Sequence, residues 1–244
     1  MNISKQTIAV GNINADVYFK NVKNIHLNVL PPDGDVRVTA PLYTNIEGVR
    51  VFLSTRIYWI KKVQASFNRQ ERQTAREYVS GESHYLFGKK YRLDVQESNK
   101  EIAIKGTNVT KIIMLAPLYA TLEQKELAMH SWYKSNLLNF LNSTLEIWDK
   151  KLATSDYSWS IRKMKTKWGS CNKQKKKLIF NLELAKKPKK CIDYVVLHEL
   201  LHLIEPKHNS AFTQLLNKNM PNWVAYKEEL NSLVLPKYKT KTRT

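Results

Sequence analysis

The chain changes its hydrophobic rhythm near the midpoint. In the N-terminal half, apolar side chains recur at every second position. Ile25, Leu27 and Val29 form one such series and Val36, Val38 and Ala40 a second, with Pro31, Pro32, Asp33 and Gly34 between them. Period two is that of a half-buried strand, and the Pro/Gly cluster signals a turn, so this stretch predicts a hairpin. Two further strand pairs are predicted: residues 84–87 and 91–95 around Gly88, Lys89 and Lys90, and residues 101–104 and 111–115 around Gly106, Thr107 and Asn108. Residues 46–77 break the pattern. Val49, Phe52, Leu53, Ile57, Ile60 and Val63 follow a helical period behind the capping residue Asn45, and one long helix is expected.

From Thr121 the rhythm is helical. Thr121 and Gln124 open an amphipathic helix over residues 121–153. Residues 157–164 and 178–184 read as strands, flanking the loop Trp168-Gly169-Ser170-Cys171-Asn172 and a basic turn at 173–177. A largely apolar helix begins near Cys191 and must end at about Glu205, because Pro206 disfavours helical geometry in the residue before it. Asn209 and Ser210 cap a helix over 211–218, and a last helix starts near Pro221, with Trp223 expected to pack it against the apolar helix. These elements make an α+β protein: a strand-rich region at 1–118 with one long helix, a second domain at 119–235, and a basic tail at 236–244. No internal repeat is evident.

Composition narrows the class. A chain of 244 residues with 43% apolar residues is long enough for one large or two small cores. The residues after Met1 lack the basic and apolar regions of a signal peptide, and the longest apolar run, 112–120, is too short to span a bilayer. Cys171 and Cys191 are too few for a disulfide framework. The expectation is a cytoplasmic protein without a membrane partner. A net charge of +19 attracts polyanions, and between Arg162 and Lys190 twelve Lys or Arg stand against the single acid Glu183. Non-specific nucleic-acid association is one reading of this charge. The other is a lysine-rich composition spread over the whole surface, without an arginine comb for bidentate phosphate contacts.

The chemistry concentrates in His198-Glu199-Leu200-Leu201-His202 and in His208, six residues further on. On a helix, residues four apart share a face, so His198 and His202 can reach one metal ion. His208 can supply a third nitrogen after the turn at Pro206, and a catalytic zinc takes three protein ligands and leaves one position open. Glu199 then stands beside that open position as a candidate general base. His26, His84 and His130 have no partner at ligand spacing and read as surface or packing residues.

With Lys167-Trp168-Gly169-Ser170-Cys171, Ile179-Phe180-Asn181-Leu182-Glu183-Leu184, the run from Asp193 to the histidine pair, and His208-Asn209-Ser210-Ala211-Phe212, the chain resembles the YgjP-like zinc metallopeptidases, related to the SprT-like and WLM families. The likeness is dense over residues 160–225 and weaker through Phe87-Gly88-Lys89-Lys90-Tyr91. It implies a zincin-like C-terminal domain, its HExxH helix packed beside a small antiparallel sheet. It also implies one Zn²⁺ on His198, His202 and His208, Glu199 as base, and a protein or peptide substrate. Trp168, Gly169, Ser170 and Asn181 carry motif status and, with Tyr194, are candidates for the cleft wall or for orienting a ligand histidine. Lys167 stands where the family usually has Arg. Glu205 and Pro206 stand where metzincins, which share the His202-to-His208 spacing, have Gly in place of Glu205. Residues 178–184 are either an edge strand that pairs with substrate or an internal strand. Three functions follow from these features: a cytoplasmic zinc peptidase, a SprT-type protease recruited to nucleic acid, or a zinc-stabilised binding module without activity.

Overall fold

The computed structural model describes residues 5–30, 34–69, 76–99, 101–164 and 166–232. By their contacts these residues group into two units, one within residues 1–72 and the other within residues 73–236. The second unit therefore takes in strands that the sequence reading placed before its boundary at 118. Among the described residues are three small sheets and six α-helices.

The first unit opens with a hairpin, β1 (Lys5–Val10) and β2 (Ile13–Lys20), that the periodicity did not single out. In β1 only Ile8 is buried, so that strand has almost no apolar alternation to read. β3 (His26–Leu30) and β4 (Asp35–Pro41) form the expected antiparallel pair, completing a sheet of order β1-β2-β4-β3 in which β2 and β4 run parallel. Of the expected turn, residues 31–33 lie outside the described residues, and Gly34 takes a left-handed φ of 78°. The single helix expected over 46–77 is instead two, α1 (Ile46–Ser54) and α2 (Ile57–Arg69). Ser54 and Thr55 turn their hydroxyls back onto the carbonyls of Val51 and Phe52, at 2.7 and 2.8 Å. Such local bonds compete with helix continuation and often bend it. Val49, Leu53 and Ile60 still face one core with Ala15, Val17, Val36 and Val38.

The second unit starts with the same plan. β5 (Ser83–Leu86), β6 (Lys89–Glu97), β7 (Ala103–Thr107) and β8 (Lys111–Ala116) form a sheet of order β5-β6-β8-β7, with β6 and β8 parallel and the outer pairs antiparallel. Strand order and sense thus repeat those of the first sheet. So does the exit from the fourth strand. Ala40-Pro41-Leu42-Tyr43 and Ala116-Pro117-Leu118-Tyr119 each close a turn by an amide-to-proline-carbonyl bond of 3.0 Å, and each leads to a helix N-cap, Asn45 or Thr121. The fold therefore contains a repeated four-strand unit, correcting the reading that none exists. The buried positions of the fourth strands match, Val36, Val38 and Ala40 against Ile112, Met114 and Ala116.

α3 (Leu122–Leu152) fulfils the long-helix expectation. A full capping box starts it: the Thr121 hydroxyl accepts the Gln124 N–H at 3.2 Å, and the Gln124 side-chain oxygen accepts the Thr121 N–H at 2.9 Å. Met129, Tyr133, Leu137, Leu141 and Leu145 line its buried face. A third sheet follows, of order β10-β11-β9, from β9 (Ser158–Arg162), β10 (Gly169–Asn172) and β11 (Lys177–Asn181). Three expectations change here. The sheet is mixed rather than antiparallel, since β11 pairs parallel with β9. The loop expected at Trp168 to Asn172 is largely a strand. The strand expected over 178–184 stops at Asn181, whose side chain caps a 3-10 turn, Leu182–Lys186. That strand is internal, and β10 and β9 form the two edges.

α4 (Lys189–Ile204), α5 (Ser210–Asn219) and α6 (Trp223–Ser232) complete the unit much as expected. α4 is apolar on nearly every side, and Ile192, Val196, Leu197, Leu200 and Leu201 are fully buried in one core with α3 and β11. A helix of that kind has to lie inside a protein or a membrane. No helix among the described residues is long and apolar enough to cross a membrane. Trp148 ties α3 to α4 by donating its indole N–H to Asp193 at 2.6 Å. Leu141 is fully buried on α3, so Leu141→Ala should lower unfolding free energy by about 2–5 kcal/mol, measured by urea denaturation with an unchanged slope.

Candidate metal centre

α4 holds His198 and His202 one turn apart, and His208 returns to them from the loop ahead of α5. One ring nitrogen from each of the three histidines lies within 4.8 Å of the others, and the Nε2 atoms of His198 and His208 are 3.0 Å apart. A tetrahedral zinc holds nitrogens ~3.4 Å from one another. The His198–His208 pair is about 0.4 Å from that separation, and no pair exceeds it by more than about 1.4 Å, within reach of side-chain adjustment. The turn that brings His208 back needs no glycine. Glu205 is extended at φ −117°, its carboxylate accepts the Lys207 N–H at 3.0 Å, and Asn209 closes onto the Lys207 carbonyl at 2.9 Å. This is how the chain makes the turn with Glu205 and Pro206 where metzincins use Gly.

The outer ring nitrogens have partners that aim the inner ones. His202 Nδ1–H donates to the Glu205 carbonyl at 3.3 Å, and the Tyr194 hydroxyl lies 3.5 Å from His198 Nδ1. Both contacts leave Nε2 facing the cluster, the arrangement in which a second group fixes tautomer and orientation. Tyr194 is itself braced by Trp223, stacked at 6.2 Å, which fulfils the expected packing of α6 on α4. Burial, then the neighbouring His202 and His208, push the His198 imidazole down to about 3. Burial also lowers His202. Imidazoles that stay neutral are ready ligands.

Phe212, on α5, packs against all three imidazoles, with ring centroids 5.0, 4.8 and 4.8 Å from His198, His202 and His208. The sequence reading gave it no role. Its one signal was its position four residues after His208, a helical turn beyond the Asn209 cap, whose side chain accepts the Phe212 N–H at 3.0 Å.

The motif residues that had no assigned chemistry acquire one by geometry. Glu199 is 6% exposed, and burial pushes its carboxyl up to about 7, with Lys167 opposing. It lies against Gly169. A Cβ on that glycine would stand 2.6 Å from Glu199 Cγ and Oε1. Only glycine lets β10 run this close to the carboxylate. Asn181, fully buried, pins the segment that delivers Gly169. Its amide donates to the carbonyls of Met164 and Lys167 at 2.9 and 2.8 Å, and its backbone N–H donates to the Trp168 carbonyl at 2.9 Å. Trp168 is half-buried, with the Lys187 ammonium over its ring at 5.2 Å. Ser170 pairs with Ile179 across the ladder. Cys171 is half-buried, and burial followed by Glu199 raises it to about 11, so it is no ready nucleophile. His84 and His130 pack away from the cluster on β5 and α3, and His26 is exposed on β3.

Two substitutions test these contacts. Gly169→Ala should leave metal content unchanged while activity falls roughly 10²-fold or more, the range for losing a positioned base. Tyr194→Phe should weaken metal retention in a chelator competition by about tenfold, the lower end for an outer-shell partner.

Comparison with known proteins adds the family. The model of the YgjP-like, metallopeptidase domain matches residues 23–233. Among solved structures, the chain is similar to the metallopeptidase zymogen abylysin of Pyrococcus abyssi. Identity is 18% over 37% of this chain and 90% of that one, and the TM-score of 0.35 marks a likeness too partial to define the fold. No curated protein matches the chain. With the family's domain matched over most of its length, this chain belongs to the YgjP-like metallopeptidases.

Proposed function

We propose that the protein is a cytoplasmic zinc-dependent peptidase in which His198, His202 and His208 hold one Zn²⁺ and Glu199 is the general base. The observation that carries this reading is the convergence of three imidazoles beside a buried carboxyl that has no basic partner at bonding distance among the described residues. Three nitrogens and an open position are the donor set of a catalytic zinc, whereas purely structural sites are closed by four ligands. A carboxyl at that position is superfluous to a site that only holds the fold together, which weighs against an inactive module. Two free thiols, Cys171 and Cys191, accord with a reducing compartment.

When bound, zinc supplies Lewis acidity and a water acidified toward neutral pH. The chain's own groups do the rest. Glu199 takes the proton of the attacking water and delivers it to the leaving amine nitrogen, a transfer suited to a carboxyl raised toward neutrality. Gly169 holds that carboxyl in place from the strand side. The substrate backbone pairs with β10 rather than with the internal strand β11. The bond from the Asn181 N–H to the Trp168 carbonyl makes that pair a hydrogen-bonded one. By the alternation of an antiparallel ladder, the N–H and C=O groups of Gly169 and Cys171 then point away from β11, toward an added strand.

Recruitment to nucleic acid receives less support. Lys176 pairs with Asp156, Lys186 with Glu183 and Lys190 with Glu229, while Lys173 caps α4 by donating to the Ile204 carbonyl at 2.9 Å. Much of the basic stretch thus has local work.

Elemental analysis of protein purified without added metal should find about one zinc per chain, lost in His202→Ala and kept in Glu199→Gln. Cleavage of an unstructured protein should vanish in both variants and on chelation. Full cleavage by zinc-loaded Glu199→Gln would remove Glu199 from the mechanism.

A further inference from the structure

Beside the histidines, the cleft opens into a cavity of about 480 Å³ between α4, α5, α6 and the start of β10. Its inner surface is mostly apolar, with Thr213 and Asn231 among its polar lining. Val195, Leu216 and Leu230 are buried there, and Trp168, Tyr194, Phe212 and Trp223 contribute aromatic surface. Two exposed cations, Lys167 and Lys227, reach it from opposite elements, and Lys227 rests over the Trp223 ring at 5.6 Å. The acid among its lining residues is Glu199, already committed beside the histidines. Trp168 and Gly169, through the family motif, and Tyr194 were already candidates for the cleft wall; Val195, Leu216, Leu230, Trp223 and Lys227 had no expected binding role.

We propose that this cavity selects the substrate: it receives the side chain of the residue next to the scissile bond, and it favours a large apolar side chain, aromatic above all, over small or basic ones. This rests on the peptidase reading. The cavity shares His198, Glu199 and His208 with the candidate site, so a peptide laid along the free edge of β10 has one side chain at its mouth. The volume falls within the range of sites that enclose a bulky organic group. Aromatic walls reward a ring by offset and edge contacts beyond area alone. A methyl group would leave most of the space unfilled. Arginine or lysine would bring its cation toward Lys167 and Lys227 with no spare carboxylate to meet it. An acidic side chain could reach the lysines only at the rim, leaving the apolar interior empty.

Two measurements decide the matter, and the first does not depend on turnover. Glu199→Gln protein, zinc-loaded and metal-free, is titrated with N-acetyl amides of phenylalanine, alanine, arginine and glutamate. Binding is followed by the indole N–H signals of Trp168 and Trp223. The phenylalanine amide should bind at least about tenfold tighter than the others, the low end of discrimination by an apolar pocket. Equal binding of all four, tighter binding of arginine or glutamate, or unmoved indole signals would overturn the proposal, whatever the peptidase assay gives. The second measurement profiles cleavage with peptides varied at each position flanking the scissile bond. Wild type should prefer Phe, Tyr or Leu at one of them. Thr213→Trp, which fills the mouth from an exposed position on α5, should shift that preference to Ala. Lys227→Glu should raise tolerance of Arg about tenfold, with zinc content unchanged in both variants. Absence of any cleavage would count against the peptidase reading and leave the titration to judge the cavity. Cleavage indifferent to the flanking residues would count against the cavity alone.

Discussion

The rest of the site depends on one steric constraint: a strand and a helix approach so closely at Gly169 and Glu199 that no side chain fits between them. α4 is buried on almost every side, so its polar residues survive only where the surrounding wall is open. β10 forms the rim of that opening. Because Gly169 has no Cβ, the Glu199 carboxyl is confined without being paired, and burial alone raises it. A larger residue would push the strand outward and loosen the carboxyl, and a charged one would neutralise it. β10 is also an edge of its sheet, so the groups that would hold a substrate backbone lie beside the group that would move the proton.

Around that contact, each further residue fixes a position. Asn181 ties Met164 and Lys167 to β11 through both ends of its amide, and so sets where β10 begins. Tyr194 and the Glu205 carbonyl orient two imidazoles from behind, Phe212 spaces all three, and Trp223 braces Tyr194. Loops alone place ligands loosely, whereas here two histidines ride a buried helix and the third is held by a capped turn into α5.

The two four-stranded sheets share strand order, strand sense and the buried alternation of their fourth strands. Both put an Ala-Pro-Leu-Tyr turn between the fourth strand and a capped helix. In the first unit the following helix breaks at Ser54 and Thr55, whose hydroxyls bond backward. In the second the helix runs unbroken through α3 and supplies one wall of the core that also buries α4. The basic stretch reads differently once folded. A run of lysines that looked like a solvated polycation is in part distributed onto carboxylates, a helix end and aromatic rings.

What the sequence determined by itself was whatever depends on spacing within one element. Helical period placed α3 through α6 and put His198 and His202 on one face. Pro206 and Asn209 marked the turn returning His208, and alternation marked the strand pairs of β3 to β8. What only the tertiary structure decided was whatever depends on elements far apart in the chain. The order β10-β11-β9 made β10 an edge and β11 internal, a choice that alternation could not register because Gly169-Ser170-Cys171-Asn172 carries no apolar alternation and read as a loop. The work of Gly169, Asn181 and Phe212 was equally hidden, since a missing Cβ, a buried amide and a ring beneath three imidazoles matter only for what they meet. The cavity at α4, α5 and α6 belongs to this second class. Its aromatic residues come from four separate elements, and no local period connects them.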